Sequence, residues 1–385
     1  VPAPPLKIRL DNIVPVELQS APGVVFGDHG FMHFFAGAYA NLIPRNLTPA
    51  QSRLGHEGIS QGGNRIGKLR NGPGGPMRPE EWIGSMTTRF GEKSMGLSVL
   101  ADGSVLRDSV IANPEEWLGP EHFNSFGASS ELLMKLLDPD QRLPVHYHPN
   151  KAFAKKHLSL NHGKTEAWII LEAPEGAEVG LGFENKQTKS EVRKMVDAQD
   201  TKGLLASLTK HKVKSGDTVF VPAGTPHAIG SGIFVLELQE PTDLSALLEW
   251  TDFAVDGVKD GHLGLGFDLV MDSLSYDPIP ESEAKKLVIH DRLFTNSDAS
   301  VFTDVADPYF RADYLTGNKS KVDAGFSIFL ALSGSGNIKF DEGSNISVNK
   351  GDAILIPFSA GNWELTGASG VVCRPPLAKD ASRAI

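Results

Sequence analysis

The stretch "SGDTVFVPAG" (Ser215–Gly224) decides the fold, because "KGDAILIPFS" (Lys350–Ser359) repeats its pattern of Gly-Asp, four residues, then Pro. In each copy a Gly-Asp turn opens a short apolar run that proline closes, the signature of a tight turn entering a buried strand. The two glycines stand 135 residues apart. A unit of that size repeated once implies two related β modules. Outward from the first copy, short apolar or alternating runs separated by Gly, Pro, Asn and Asp predict further strands in Ser94–Leu106, Lys164–Ala173, Glu178–Glu184 and Ile233–Pro241. Outward from the second, Gly325–Phe340, Asn345–Val348 and Gly370–Pro376 read the same way, with residues 286–300 leading in. Helical composition and spacing mark "TKSEVRKMVDAQDTKGLLASLTKH" (Thr188–His211) and "SSELLMKLLD" (Ser129–Asp138). The expected class is mostly β with helical insertions.

The chain has 385 residues, 40% hydrophobic and 22% charged, with mean hydropathy −0.16, the composition of an ordinary globular protein of two or three domains. A net charge of −10 and a pI near 5.7 argue against broad binding to nucleic acid or anionic membrane and favour a small-molecule partner. Cys373 is the one cysteine, so no intrachain disulfide forms and no cysteine-rich zinc module exists; a reducing cytoplasm is the expected setting. No run of about 18 apolar residues marks a membrane span. Residues 51–79 hold eight glycines among Arg53, Arg65, Lys68, Arg70 and Arg78. They read as a mobile basic loop, either a solvated excursion or a lid over an anionic substrate. His29 and His33, in an apolar setting without a nearby carboxylate, read as structural.

Chemistry gathers in "LPVHYHPN" (Leu143–Asn150). In an extended chain His146 and His148 point to one side, within reach of a common ligand. Glu166 in "GKTEAWII" and His227 in "GDTVFVPAGTPHAIG" complete a set of three imidazoles and one carboxylate, suited to zinc, iron, manganese or cobalt. Taken alone, a His-x-His pair is as readily an exposed or hydrogen-bonded one. The repeat offers an internal control: five residues beyond Pro222 lies His227, whereas five beyond Pro357 lies Asn362, and no histidine follows His290. The second module therefore cannot build the same site.

The spacing Gly216, Pro222, Gly224, His227 resembles the second motif of the cupin superfamily, and His146-x-His148 resembles the first. More narrowly, "PEEWIGS", "LLMKLLDPDQRLPVHYHPNKAFAKKH", "GKTEAWIIL" and "GDTVFVPAGTPHAIGSGIFVLELQEPTD" resemble, in order, the landmarks of class I mannose-6-phosphate isomerases across roughly residues 80–370. The resemblance implies a bicupin: an N-terminal extension with the Gly-rich loop (1–80), a metal-binding cupin domain with a helical insertion (81–285) and a C-terminal cupin domain without a metal site (286–385). It implies one divalent ion, zinc first, with iron, manganese or cobalt as alternatives, held by His146, His148, Glu166 and His227. His146 departs from the family's usual Gln.

The implied reaction interconverts an aldose and a ketose through an enediol, with a side chain shuttling the proton and a cation stabilising the enediolate. Lys164 is a candidate as a cation or, with a depressed pKa, as an acid or base. Glu237 and Asp243 match acidic positions of the family's pocket, either moving protons or holding sugar hydroxyls. Leu247 stands where relatives usually carry an arginine that serves the sugar phosphate or catalysis, and leucine cannot pair with a dianion. Either another basic group compensates, with Arg65, Lys68 or Arg70 as donors, or the sugar is unphosphorylated. An iron-dependent cupin oxygenase and a non-catalytic sugar-binding cupin are the alternatives from other classes.

Overall fold

The computed structural model of the chain describes residues 62–70, 79–100 and 102–382. His29, His33 and the rest of the Gly-rich stretch lie outside them. In chain order the strands of the first half are β1 (Glu80–Ile83), β2 (Leu133–Leu137), β3 (His146–Tyr147), β4 (Glu166–Glu172), β5 (Glu178–Phe183), β6 (Leu208–Lys212), β7 (Thr218–Val221), β8 (His227–Ile229), β9 (Phe234–Gln239), β10 (Ala246–Leu247) and β11 (Val288–Ile289). Those of the second half are β12 (Ala299–Ser300), β13 (Arg311–Leu315), β14 (Asn318–Val322), β15 (Ser327–Ser333), β16 (Ser335–Phe340), β17 (Asn345–Asn349), β18 (Ala353–Ile356), β19 (Trp363–Thr366) and β20 (Ser369–Arg374).

They form four sheets, ordered β1-β2-β9-β4-β7-β11 and β10-β3-β8-β5-β6 in the first module, β12-β13-β20-β15-β18 and β14-β19-β16-β17 in the second. Apart from β10 and β11, which have no counterpart, the two lists correspond in order, with β9 matching β20, β4 β15, β7 β18, β8 β19 and β5 β16. The Gly-Asp turn that revealed the repeat is built identically in both. Gly216 and Gly351 each take φ of +92°, which L side chains rarely adopt. Asp217 accepts from the Lys214 amide at 2.9 Å and Asp352 from the Asn349 amide at 2.7 Å. The mostly β, two-barrel expectation therefore holds.

Register also explains why the modules differ chemically. Glu166 pairs with Val221, just before Pro222, and Ser327 pairs with Ile356, just before Pro357, so Ser327 is the counterpart of Glu166. His146 pairs with His227, and Val322 with Trp363. The counterpart of His227 is thus Trp363 and not Asn362, because the one-turn helix Phe358–Ala360 shifts the count by one residue. Trp168 packs on His227 with ring centroids 5.5 Å apart, and Phe329 packs on Trp363 at 6.0 Å. Val322, Phe329, Ile338, Ile354 and Trp363 fill the second barrel with an apolar core. Each such buried large side chain contributes about 1.5–3 kcal/mol. A larger core, including Ile83, Ile169, Val219, Phe310, Ile328, Leu355 and Cys373, joins the two modules.

Three segments depart from the sequence reading. Leu133–Leu137 is a strand, β2, between β1 and β9, buried throughout. A short run apolar on both faces lacks the periodicity that separates helix from strand. Ser94–Leu106 contributes only a bridge between Val99 and Val105 before the helix Leu106–Ala112. Within the Gly-rich stretch, Arg65–Arg70 is a helix whose Ile66 and Leu69 are buried. Its two arginines serve the scaffold: Arg65 pairs with buried Asp138, while Arg70 pairs with Glu81 and donates to the Gly351 carbonyl; Lys68 is exposed. Arg65 and Arg70 are therefore committed to the scaffold, not to a sugar phosphate. The helical insertion is present as Lys189–Ala198, closed by a capping box from Thr188 and Glu191, and Thr201–Ala206; Leu208–Lys212 follows as β6. No helix of the described residues is long and apolar enough to cross a membrane.

Candidate metal centre

β3 and β8 lie side by side in one sheet of the first barrel, and β4 lies in the other, so their inward side chains converge. His146, His148 and His227 are buried, with their candidate ligand nitrogens all within 4.8 Å of one another. His146 Nε2 lies 3.0 Å from His227 Nε2. Glu166 reaches the group from β4, its Oε2 3.0 Å from His148 Nε2 and its Oε1 3.3 Å from His227 Nε2. Four donors held tetrahedrally at about 2.1 Å from one cation stand about 3.4 Å apart, close to these spacings.

The tautomers follow from the backbone. Nδ1 of His146 meets the Pro144 carbonyl at 2.8 Å, that of His148 the Leu244 carbonyl at 2.6 Å and that of His227 the Thr225 carbonyl at 2.8 Å. A carbonyl only accepts, so each Nδ1 carries the ring proton and each Nε2 presents a bare lone pair inward, as metal-ligating histidines do. His148 Nε2 is buried and receives no proton donor, lying 3.0 Å from Glu166 Oε2, an oxygen that Lys164 also approaches. Lone pairs facing one another in this way at a buried site fit a shared divalent cation. Burial, with His227 and His148 next to it, holds His146 well below the usual imidazole range; burial and then the Lys164 charge hold His148 at about 3. Both rings are neutral at pH 7, the form that binds metal.

Glu166 is oriented by its neighbours. Trp168 Nε1 donates to its Oε1 at 3.0 Å, and Lys164 Nζ lies 3.0 Å from Oε2. Burial pushes the Glu166 carboxyl up, but Lys164 and His148 more than offset it and keep the group ionised. Burial likewise opposes the charge on Lys164, yet Glu166, Glu237 and Asp243 together raise its pKa above the usual lysine value. Of the two alternatives for Lys164, a cation or an acid or base with a depressed pKa, this setting favours the cation.

Beside these groups a small cleft is lined by Glu80, Lys135, His146, Lys164, Glu166 and Glu237, together with Asp243. Glu237 lies directly opposite Lys135 on one side and Trp168 on the other, so it faces the cleft and not the outside. Lys135 Nζ lies 3.8 Å from Glu237 and 3.7 Å from Asp243, over the Trp82 ring at 4.4 Å from its centroid. Burial, followed by the Glu166 charge, raises the Glu237 pKa, and burial raises that of Glu80 to about 7. Leu247 is fully buried and pairs in register with His146, so its side chain shares the inward face of that sheet with the imidazole.

Sequence reasoning missed Glu80, Lys135 and Arg89. The signal for Lys135 was a lone charge inside "LLMKLLD": on a strand it shares a face with Leu133 and Leu137, a place lysine occupies only with partners. The helix reading hid that face. Glu80 stands inside the landmark "PEEWIGS" but nothing there marks it as a cleft residue, and Arg89 carries no motif.

A mannose-6-phosphate isomerase from Streptococcus mutans is 32% identical over 272 residues, covering 69% of this chain and 81% of the relative. One from Bacillus subtilis is 32% identical over 241 residues, covering 61% of this chain and 72% of the relative. The solved structure of a mannose 6-phosphate isomerase from Bacillus subtilis superposes with a TM-score of 0.65 at 22% identity, covering 82% of this chain and 96% of the other, which shows a common fold. No family model matches the chain. Identity at this level over most of both chains, together with the shared fold, establishes that the chain belongs to the class I mannose-6-phosphate isomerase family.

Proposed function

We propose that this chain interconverts mannose 6-phosphate and fructose 6-phosphate. One observation carries the reading: a chain of this family gathers three inward Nε2 atoms and a carboxylate beside Lys164, Glu237 and Asp243 in one buried cleft. Sugar isomerisation needs a C–H proton moved between adjacent carbons while negative charge grows on the neighbouring oxygens. A divalent ion held by His146, His148, Glu166 and His227 would supply Lewis-acid stabilisation of that charge. The donor set of three imidazoles and one carboxylate favours zinc. A cytoplasmic setting accords with a lone, buried cysteine.

Glu237 is the proposed proton carrier. Its raised pKa brings it nearer to neutrality than an ordinary carboxylate, so it takes the proton from C2 and returns it to C1 with a smaller mismatch. Lys164 stays protonated and offers a fixed positive charge to the enediolate oxygens. Asp243 accepts from sugar hydroxyls while Lys135 offsets its charge. The test is incubation of the metal-replete protein with mannose 6-phosphate in heavy water, followed by NMR. Deuterium at the exchanging carbon and appearance of fructose 6-phosphate are expected. Absence of label from phosphorylated and free aldoses alike refutes the reading, and oxygen uptake with bound iron would replace it with an oxygenase.

A further inference from the structure

Leu247 stands where relatives usually carry an arginine that serves the sugar phosphate or catalysis, and the structure offers an arginine elsewhere. Next to the metal cleft, and sharing Asp243 with it, lies a pocket of about 450 Å³ lined by Met86–Gly91, Arg107, Ile111, Ser129, His162 and Thr242. Arg89 in its wall is only 5% exposed, yet its Nε has no hydrogen-bond partner, and its Nη1 meets only the Met95 sulfur, a weak acceptor, at 3.0 Å. Two residues before it, Thr87 is also buried, and its Oγ1 is likewise without a partner.

Two other polar groups of the pocket, His162 and Asp243, are already engaged. His162 is held by both oxygens of Glu131 at 2.9 Å. Asp243, the nearby carboxylate that would compete for Arg89, accepts from the Phe90 amide at 3.3 Å and is matched by Lys135. Arg107, about a third exposed, adds positive charge to the pocket, its nearest carboxylate Asp108 standing 3.8 Å away. A guanidinium withdrawn from water with unspent donors presents a planar fork that matches phosphate oxygens.

We propose that Arg89, with the Thr87 hydroxyl, forms the anion subsite that receives the phosphate of the substrate. The inference rests on the isomerase reading for its ligand, but the anion subsite can be tested apart from it. Burial outweighs the pull of Glu80, Asp243 and Glu92 and lowers the pKa of Arg89.

Two readouts decide it: calorimetric binding of inorganic phosphate, and kcat/KM for mannose 6-phosphate against free mannose. Arg89→Met is expected to weaken phosphate binding and to lower the phosphorylated-to-free ratio of kcat/KM on the order of 100-fold, mostly through KM. Arg89→Lys should restore part of it, and Thr87→Val should lower the ratio by roughly 3- to 10-fold. If Arg89→Met does not fold, the other two variants carry the same comparison. A ratio and a phosphate affinity unchanged within about twofold across the variants overturn the subsite and leave the isomerase reading standing. Phosphate binding lost in Arg89→Met, with no sugar converted by the native protein, keeps the subsite and removes the isomerase reading.

Discussion

Replacing Glu166 by glutamine isolates the charge at the heart of the site. Glutamine keeps the volume of the side chain and the oxygen that accepts from Trp168 Nε1. It removes the partner 3.0 Å from Lys164, an ammonium that is itself buried. Breaking a buried ion pair on one side costs about 3–5 kcal/mol, because the remaining charge is left uncompensated. Glu237 and Asp243 also face Lys164, so the lower end, about 3 kcal/mol, is expected here. Against a total stability of about 5–15 kcal/mol that is a large fraction. The assay is urea unfolding of metal-free protein at pH 7.5, so that loss of a ligand does not enter. The double variant Glu166→Gln/Lys164→Met removes both charges and should recover at least half of the loss. A single variant within about 1 kcal/mol of the native protein, or single effects that simply add in the double variant, would refute the buried-pair reasoning.

Three further outcomes follow from the same geometry. His146→Gln, which restores the residue type usual in the family, should retain one metal per chain, but with affinity lowered by at least the roughly tenfold that loss of an outer partner costs; equilibrium dialysis measures it. Glu80 has a folded pKa of about 7 against 4.5 in the reference state, so the unfolded chain ionises first and folding stability falls as pH rises through that window. Glu80→Gln should therefore gain about 2–3 kcal/mol relative to the native protein at pH 8 and almost nothing at pH 4; a difference constant with pH contradicts this. In the second barrel, Trp363→Ala should cost about 3–5 kcal/mol in the same unfolding assay without changing metal content, since Trp363 occupies the counterpart of a ligand position but packs in an apolar core.

Much of this was legible in the chain itself, for physical reasons. The Gly-Asp turn needs a positive φ and an aspartate that caps its own turn, so both copies kept the same letters and disclosed the second barrel. The alternation of a strand placed His146 and His148 on one side. Where the pattern failed, a competing effect was at work. Leu133–Leu137 is buried on both faces, which erases the period that separates strand from helix. The extra turn at Phe358–Ala360 moved the counterpart of His227 from Asn362 to Trp363, a slip that residue counting cannot detect. Lys135 and Arg89 become site residues only through sheet register and loop placement, which no local motif encodes. The carbonyls of Pro144, Thr225 and Leu244, which set the three tautomers, are backbone atoms and leave no trace in residue identity.

The most direct measurement is cobalt titration of the metal-stripped protein, read by X-ray absorption at the cobalt edge and by visible spectroscopy. One ion per chain is predicted, bound by three imidazole nitrogens and a carboxylate oxygen, with the signal abolished in His227→Ala. Substoichiometric uptake, or an ion whose shell is unchanged in His227→Ala, would contradict the account.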